Sequence, residues 1–377
     1  MLVVAVGWLY LFPQLQGAGI TLSAIVGAPT WVGPVLVTLV VLANVTSGGM
    51  RSVTFVQAFQ YWLKLTALLI PACVLLVVWL GDGTPSPNAP SAWSVPLAGG
   101  GAQGLYTTYS LILATFLGTM GLPHVGVRFY TNPDGRAARR TTVVVLALLG
   151  AFYLLPPVFG ALGRAYGADP ATADTLVLEL PRLMLDGLLG EVLTGLVAAG
   201  AFAAFLSTSS GLTVAVAGVL SQDVVTPLVR RLGGVAAFQI AAAAAVTVPF
   251  VGALLVPNVG VARVVGLAFA VAASTFCPLL LLGIWWRGLT PVGATAGLIA
   301  GFVGSGASVV WTLGGWTASG WWDVLLAQPA AWSVPLAIGT MVAVSLATAD
   351  RIPAHTHRLL VRLHSPEAFE DVDAAGA

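Results

Sequence analysis

The chain has 377 residues, of which 58% are hydrophobic and only 8% are charged. Soluble proteins carry about 25% charged residues, so this chain has too few to cover a surface that faces water. Its formal net charge of +1 provides no bulk attraction to nucleic acid. We therefore expect an all-α integral membrane protein, because helices satisfy their own backbone hydrogen bonds in lipid.

Apolar segments long enough to cross a bilayer follow one another along the chain. Since a spanning helix needs about 20 mostly apolar residues, the sequence predicts ten spans. In chain order they cover 2–27, 31–47, 53–80, 106–129, 142–164, 190–221, 236–256, 260–286, 291–313 and 332–349. We expect one membrane domain over 1–350 and a polar tail over 351–377.

The cations are distributed unequally between the two sets of loops that ten alternating spans create. One set contains eleven arginines, namely Arg51, Arg128, Arg136, Arg139, Arg140, Arg230, Arg231, Arg287, Arg351, Arg358 and Arg362. The other set contains three, namely Arg164, Arg182 and Arg263. The positive-inside rule places the richer set, and with it the C-terminus, in the cytoplasm of a multi-pass plasma-membrane protein.

Two segments between spans differ in composition. Residues 81–104 are rich in Pro, Gly and Ser, which favours an irregular loop. Residues 167–191 alternate acidic and apolar positions, which predicts a short helix at the outer membrane interface.

Five hydroxyl side chains occur within seven residues of the sixth span, in the run STSSGLT that begins at Ser207. On a helix, Ala204, Ser207, Thr208 and Gly211 share one stripe. A small residue beside two hydroxyls leaves room for oxygen atoms to bind a small, hard cation. The alternative is helix packing, in which Ser and Thr donate to their own backbone carbonyls.

A second polar segment, GTMGLPHVGVRFYT, begins in the fourth span. Gly118, Gly121 and Pro123 disfavour a continuous helix. An interrupted span exposes amides that favour an anion and carbonyls that favour a cation. His124 follows directly, either as a packing residue or as a group that contacts substrate or carries a proton.

Enzymatic chemistry has no support in the sequence. No predicted span has an Asp or Glu near its middle, and no HExxH, GxSxG or Walker-type motif occurs. We therefore predict neither an enzyme nor an organic cofactor or metal centre.

Four segments in order resemble the sodium:solute symporter family. They are GGMRSVTFVQAFQ, GTMGLPHVGVRFYT, AAFLSTSSGLTVAVAGVLSQD and GLAFAVAASTFCPLLLLGIWWRGLTPVGATAG. The second is most similar to the acetate, or short monocarboxylate, branch. The resemblance implies a 5+5 inverted-repeat fold, sodium as the coupling ion and a small monocarboxylate as the solute.

The resemblance also implies roles for individual residues. Ala204 would provide a carbonyl and Ser207 and Thr208 hydroxyls to sodium. Gly118, Thr119, Met120, Gly121 and His124 would line the substrate cavity, with repeat two covering about 106–286. Many members have Thr-Asp where this chain has Val56 and Gln57.

The resemblance places residue 1 near the start of the third helix of repeat one. We therefore expect the first helices of the fold to be missing from this chain. Two alternatives to monocarboxylate symport stay open: a truncated fragment or membrane subunit that does not transport, and a symporter of the same fold for proline or a sugar. The oligomeric state is not predicted.

Overall fold

A computed structural model describes residues 1–86, 100–122, 124–126, 132–169, 172–229, 233–256, 260–354 and 356–364, without the side chains of 48–52. The described residues form helices and no strand, which confirms the all-α class. They divide into two compact units. The first comprises Met1–Val95 with Thr141–Val265, and the second Pro96–Arg140 with Gly266–Ala377.

The helices follow the apolar segments of the sequence closely. In chain order they are α1 (Leu2–Val26), α2 (Val32–Gly81), α3 (Gly101–Gly121), α4 (Gly135–Tyr153), α5 (Leu155–Ala165), α6 (Leu176–Met184), α7 (Leu188–Leu220), α8 (Gly234–Leu255), α9 (Val261–Trp285), α10 (Pro291–Leu313), α11 (Trp321–Ala327), α12 (Ala330–Ala347) and α13 (Thr356–His364). A π-helical turn, Ser221–Val225, and the short helix Thr226–Leu228 extend α7.

In the first unit, α7 packs against α1, α2, α6 and α8. The core between these helices is built of aliphatic side chains such as Leu11, Val41 and Leu212, each about 1% exposed or less. The predicted short helix in 167–191 is confirmed as α6, whose Leu178 carbonyl accepts a hydrogen bond from Thr194 of α7 at 3.2 Å. This core fixes the orientation of α7.

In the second unit, α10 packs closely against α12. Gly293, Gly297 and Gly301 form a stripe at i, i+4 and i+8 on α10. The stripe faces buried residues of α12 and, at Gly301, the backbone of Ser274 of α9. Small residues at this spacing let membrane helices approach closely. The Thr290 side chain accepts from the Gly293 amide at 3.0 Å, so α10 begins with a side-chain cap followed by proline.

The second and third predicted spans form one continuous helix, α2. Asn44 of α2 contacts Ser210 of α7, and a Cβ built on Gly200 would lie 2.5 Å from Ala67 of α2. A straight helix would separate Asn44 from Ala67 by about 34 Å, whereas Gly200 and Ser210 are about 15 Å apart. A straight α2 could not make both contacts, so α2 is bent between Asn44 and Ala67. The two predicted spans form the two arms of this bent helix.

By length and composition, eight helical segments of the described chain can cross a membrane. Two of the ten predicted spans fall outside this group. The arm Val32–Ser47 is shorter than the others, and α3 contains more polar and small residues. Residues 87–99 of the predicted loop, Pro123 and residues 127–129 of the fourth span, and residues 365–377 of the tail lie outside the described residues.

Candidate functional site

The hydroxyl run of α7 has two faces with different environments. Ser209, Ser210 and Thr213 are buried, at 1%, 1% and 0% exposure. Ala204, Ser207 and Thr208 are only partly buried. The structure therefore brings the three predicted sodium ligands together on one accessible face of α7 and turns the other hydroxyls into the helix interface.

The hydroxyls of Ser207 and Thr208 have no hydrogen-bond partner among the described residues. Elsewhere in this chain, threonines within helices donate to the carbonyl four residues earlier, as Thr119 does to Thr115 at 2.6 Å and Thr275 to Val271 at 2.7 Å. That local bond is the geometry that packing alone predicts. Both hydroxyl oxygens are therefore available to an external ligand.

Gln57 of α2 contacts this face of α7. Its Nε2 donates to the backbone carbonyl of Ser207 at 2.7 Å. Gln57 thus places a neutral hydrogen-bond donor, and no carboxylate, beside the candidate sodium ligands. The amide holds α2 and α7 together at the level of Ser207.

We expect Gln57→Leu to destabilise the protein by about 1 kcal/mol, because it removes one partly buried hydrogen bond without changing side-chain volume much. Thermal unfolding of the detergent-purified protein measures the change. Gln60→Leu is the matched control one turn further along α2. The Oε1 of Gln60 is buried without a partner, so this substitution should be neutral or stabilising. Equal losses in both variants would show that the bond to Ser207 contributes nothing.

Asn44 is a second contact to the hydroxyl run. Its Nδ2 lies 3.4 Å from Ser210 Oγ, whereas Ser209 Oγ and Thr213 Oγ1 have no hydrogen-bond partner. Because Asn44 and Ser210 are 166 positions apart in the sequence, no local sequence pattern indicated this contact. The buried hydroxyls therefore belong to the packed interface and are distinct from the accessible ligand face.

The predicted interruption of the fourth span is confirmed. Helix α3 ends at Gly121, and Leu122 is extended with φ −76° and ψ 119°. The amides of Val125 and Gly126 donate to the Leu122 carbonyl, at 3.1 and 3.3 Å. These two amides are thus used locally, and Pro123 has no amide to donate to the carbonyls at the end of α3.

The predicted substrate-cavity residues of α3 lie on different faces. Gly118 and Gly121 are buried, and a Cβ on either would overlap a backbone carbonyl oxygen of α9, that of Phe269 or Ala272. Thr119 and Met120 are exposed, the latter at 43%, and His124 is partly buried. The glycines therefore provide close helix contact, and the accessible groups are Thr119, Met120 and His124.

In the described parts of the chain, no three His, Cys, Asp or Glu side chains come together in a group that could hold a metal ion. The oxygen atoms of Ser207 and Thr208 and nearby backbone carbonyls form a different donor set. Hard monovalent cations in transporters are bound by such hydroxyl and carbonyl oxygens.

Comparison with known proteins gives a consistent result. The profile described as "Sodium:solute symporter family" matches residues 1–301. The chain is 29% identical over 321 residues to a protein of Bacillus subtilis (strain 168) described as "Uncharacterized symporter YwcA". The match covers 80% of this chain and 61% of that protein, so the chain spans less than two thirds of the relative's length.

Proposed function

Because this chain belongs to the sodium:solute symporter family, we propose that it couples inward movement of sodium to uptake of a small monocarboxylate such as acetate. The observation that carries the proposal is the pair of unbonded hydroxyls on the accessible face of α7. Sodium would be bound by the Ala204 carbonyl and by the Ser207 and Thr208 hydroxyls.

The chemistry of this face suits a sodium ion better than a proton. Hydroxyls and carbonyls are neutral oxygen ligands that replace part of the ion's hydration shell, but they do not titrate near neutral pH. Gln57, the polar side chain that contacts Ser207, is also uncharged at every physiological pH. Alternating access would then couple the movement of sodium bound at this stripe to the movement of the solute.

The substrate class is inferred from the sequence segment 118–131 and from the end of α3. Of the predicted cavity residues Gly118, Thr119, Met120, Gly121 and His124, the accessible ones are Thr119, Met120 and His124. His124 can donate a hydrogen bond to a carboxylate, whereas the Thr119 hydroxyl already donates to the Thr115 carbonyl. Gly118 and Gly121 bring α3 against α9 beside these groups.

We expect His124→Gln to leave the pH profile of uptake unchanged, because the proposed coupling ion is sodium. Glutamine keeps a hydrogen-bond donor at this position but removes the titratable ring. Uptake of labelled acetate is measured across neutral pH at saturating sodium. A profile that shifts in the variant would assign proton transfer to His124 and contradict coupling by sodium alone.

The substrate class is tested by competition in cells that express the protein and lack other acetate carriers. Unlabelled acetate, propionate, proline and glucose are added in excess to labelled acetate. The proposal predicts inhibition by the two monocarboxylates only. Inhibition by proline or glucose would reassign the substrate within the same fold, and no uptake above that of empty cells would indicate a fragment or subunit that does not transport.

A further inference from the structure

The C-terminal region contains an amphipathic helix that the composition of the tail conceals. Helix α13, Thr356–His364, has the sequence THRLLVRLH and contains no acidic residue. At about 100° per residue, Leu359, Leu360 and Leu363 fall in one sector, with Arg358 and Arg362 beside it. A short helix with this arrangement is typical of segments that lie in a membrane interface.

Contacts within the second unit dock α13 against the end of α9. Leu360 is 7% exposed, and the His364 ring lies 4.9 Å from the Trp285 ring. Trp285 is the last residue of α9, a candidate membrane span. Because the end of a spanning helix lies near the membrane surface, these contacts place α13 at that surface.

Two leucines of the apolar sector of α13 are exposed. Leu359 is 50% exposed and Leu363 is 64% exposed. Two exposed leucines beside arginines suit the membrane interface. There, apolar side chains contact the acyl chains and basic side chains contact the lipid head groups. Lipid is therefore the environment that this face suits.

A cleft of about 400 Å³ opens between α13 and the end of α9. It is lined by Ile284, Trp285, Arg287, Leu360, Val361 and His364. The cleft combines an apolar wall with a guanidinium and an imidazole and contains no carboxylate. Arg287 and Arg358 have no hydrogen-bond or ion-pair partner among the described residues.

We propose that this cleft binds the head group of an anionic phospholipid. Arg287 would contact the phosphate, since a guanidinium presents paired donors that match phosphate oxygens. Arg358 would add attraction from α13, while Leu359 and Leu363 contact the acyl chains. The lipid would attach α13 to the membrane and to the end of α9. This site is independent of the transport proposed above.

The test uses the detergent-purified chain and dioctanoyl phosphatidylglycerol as the probe. Thermal unfolding is followed as the lipid is added, because a ligand that binds the folded state raises its stability with concentration. We expect phosphatidylglycerol to raise the unfolding temperature and dioctanoyl phosphatidylcholine to have a much smaller effect. Equal effects of the two lipids would overturn the proposal, and so would an equal effect of inorganic phosphate.

Charge-removing variants locate the site. Arg287→Gln should weaken the phosphatidylglycerol response by about tenfold in concentration, as expected for loss of one charge-assisted contact. Arg358→Gln, on α13, should also weaken the phosphatidylglycerol response. Because this variant leaves Arg287 intact, a loss in both variants cannot be explained by misfolding of Arg287→Gln alone. Arg263→Gln, near the opposite end of α9, is the matched control and should respond as the unaltered protein does. An unchanged response in both Arg287→Gln and Arg358→Gln would overturn the proposal.

Discussion

Ser207→Ala is expected to raise the sodium concentration needed for half-maximal acetate uptake by about tenfold or more. Removing one neutral oxygen ligand from a dehydrated site costs about 1–3 kcal/mol, and 1.4 kcal/mol corresponds to tenfold in affinity. Thr208→Ala should act in the same direction. The measurement is uptake of labelled acetate as a function of external sodium, with protein amounts matched by immunoblot.

Ser209→Ala is the matched control for this prediction. It removes the same hydroxyl from the neighbouring position, but Ser209 Oγ is buried without a hydrogen-bond partner. Its loss removes a desolvated polar atom, so stability should stay equal or increase and the sodium dependence should not change. If Ser207→Ala and Ser209→Ala had equal sodium affinities, the accessible face of α7 would not be the sodium site.

Gly301→Ala is expected to destabilise the second unit by about 3 kcal/mol, at the upper end of overpacking costs. A Cβ at Gly301 would overlap the backbone oxygen of Ser274. Ser274 has little freedom to move, because it is 0% exposed and its hydroxyl lies 2.7 Å from that of Ser333 of α12. The added methyl group must therefore push α10 away from α9 and α12.

Gly306→Ala, on the same helix, is the control for this second prediction. A Cβ there would meet nothing within 4 Å. Alanine is favoured over glycine inside a helix by about 1 kcal/mol, so this variant should be as stable as the unaltered protein or more so. Thermal unfolding in detergent distinguishes the two variants. Equal unfolding temperatures would contradict the close contact of α10 with Ser274.

Helix positions were largely predictable from the sequence, because in a membrane an apolar run of sufficient length has one favourable structure. The predicted span 291–313 coincides with α10, where the signal Thr290-Pro291 marks the start of the helix. Helix α2 differs for a physical reason. The polar residues after Val45 divide the apolar pattern in two, but they contain no proline, so the helix continues and bends.

The candidate site was predictable only in part. Helical spacing alone placed Ala204, Ser207 and Thr208 on one face. The bond from Gln57 to Ser207 joins residues 150 positions apart, and the close contact of Gly118 with Phe269 is equally non-local. Such contacts depend on which helices become neighbours. The resemblance predicted that the glycines of α3 line a cavity, and it gave no indication of their close contact with α9.

Helix α13 shows a different limit of prediction from sequence. It has only nine residues, and averaging over the polar tail hides the three leucines that form its apolar sector. Its docking depends on Trp285, which is about 80 positions earlier in the chain. A window limited to Thr356–His364 would have revealed the amphipathic pattern, although not the surface that it contacts.

The coupling of sodium to solute is tested most directly by acetate accumulation in proteoliposomes containing the purified protein. Labelled acetate is supplied outside at mildly alkaline pH, where the ionised form crosses lipid slowly, and an inward sodium gradient is imposed. The proposed function predicts accumulation above the external concentration, which collapses when potassium replaces sodium or when an ionophore removes the gradient. Uptake that is absent, or equal with and without the sodium gradient, would contradict it.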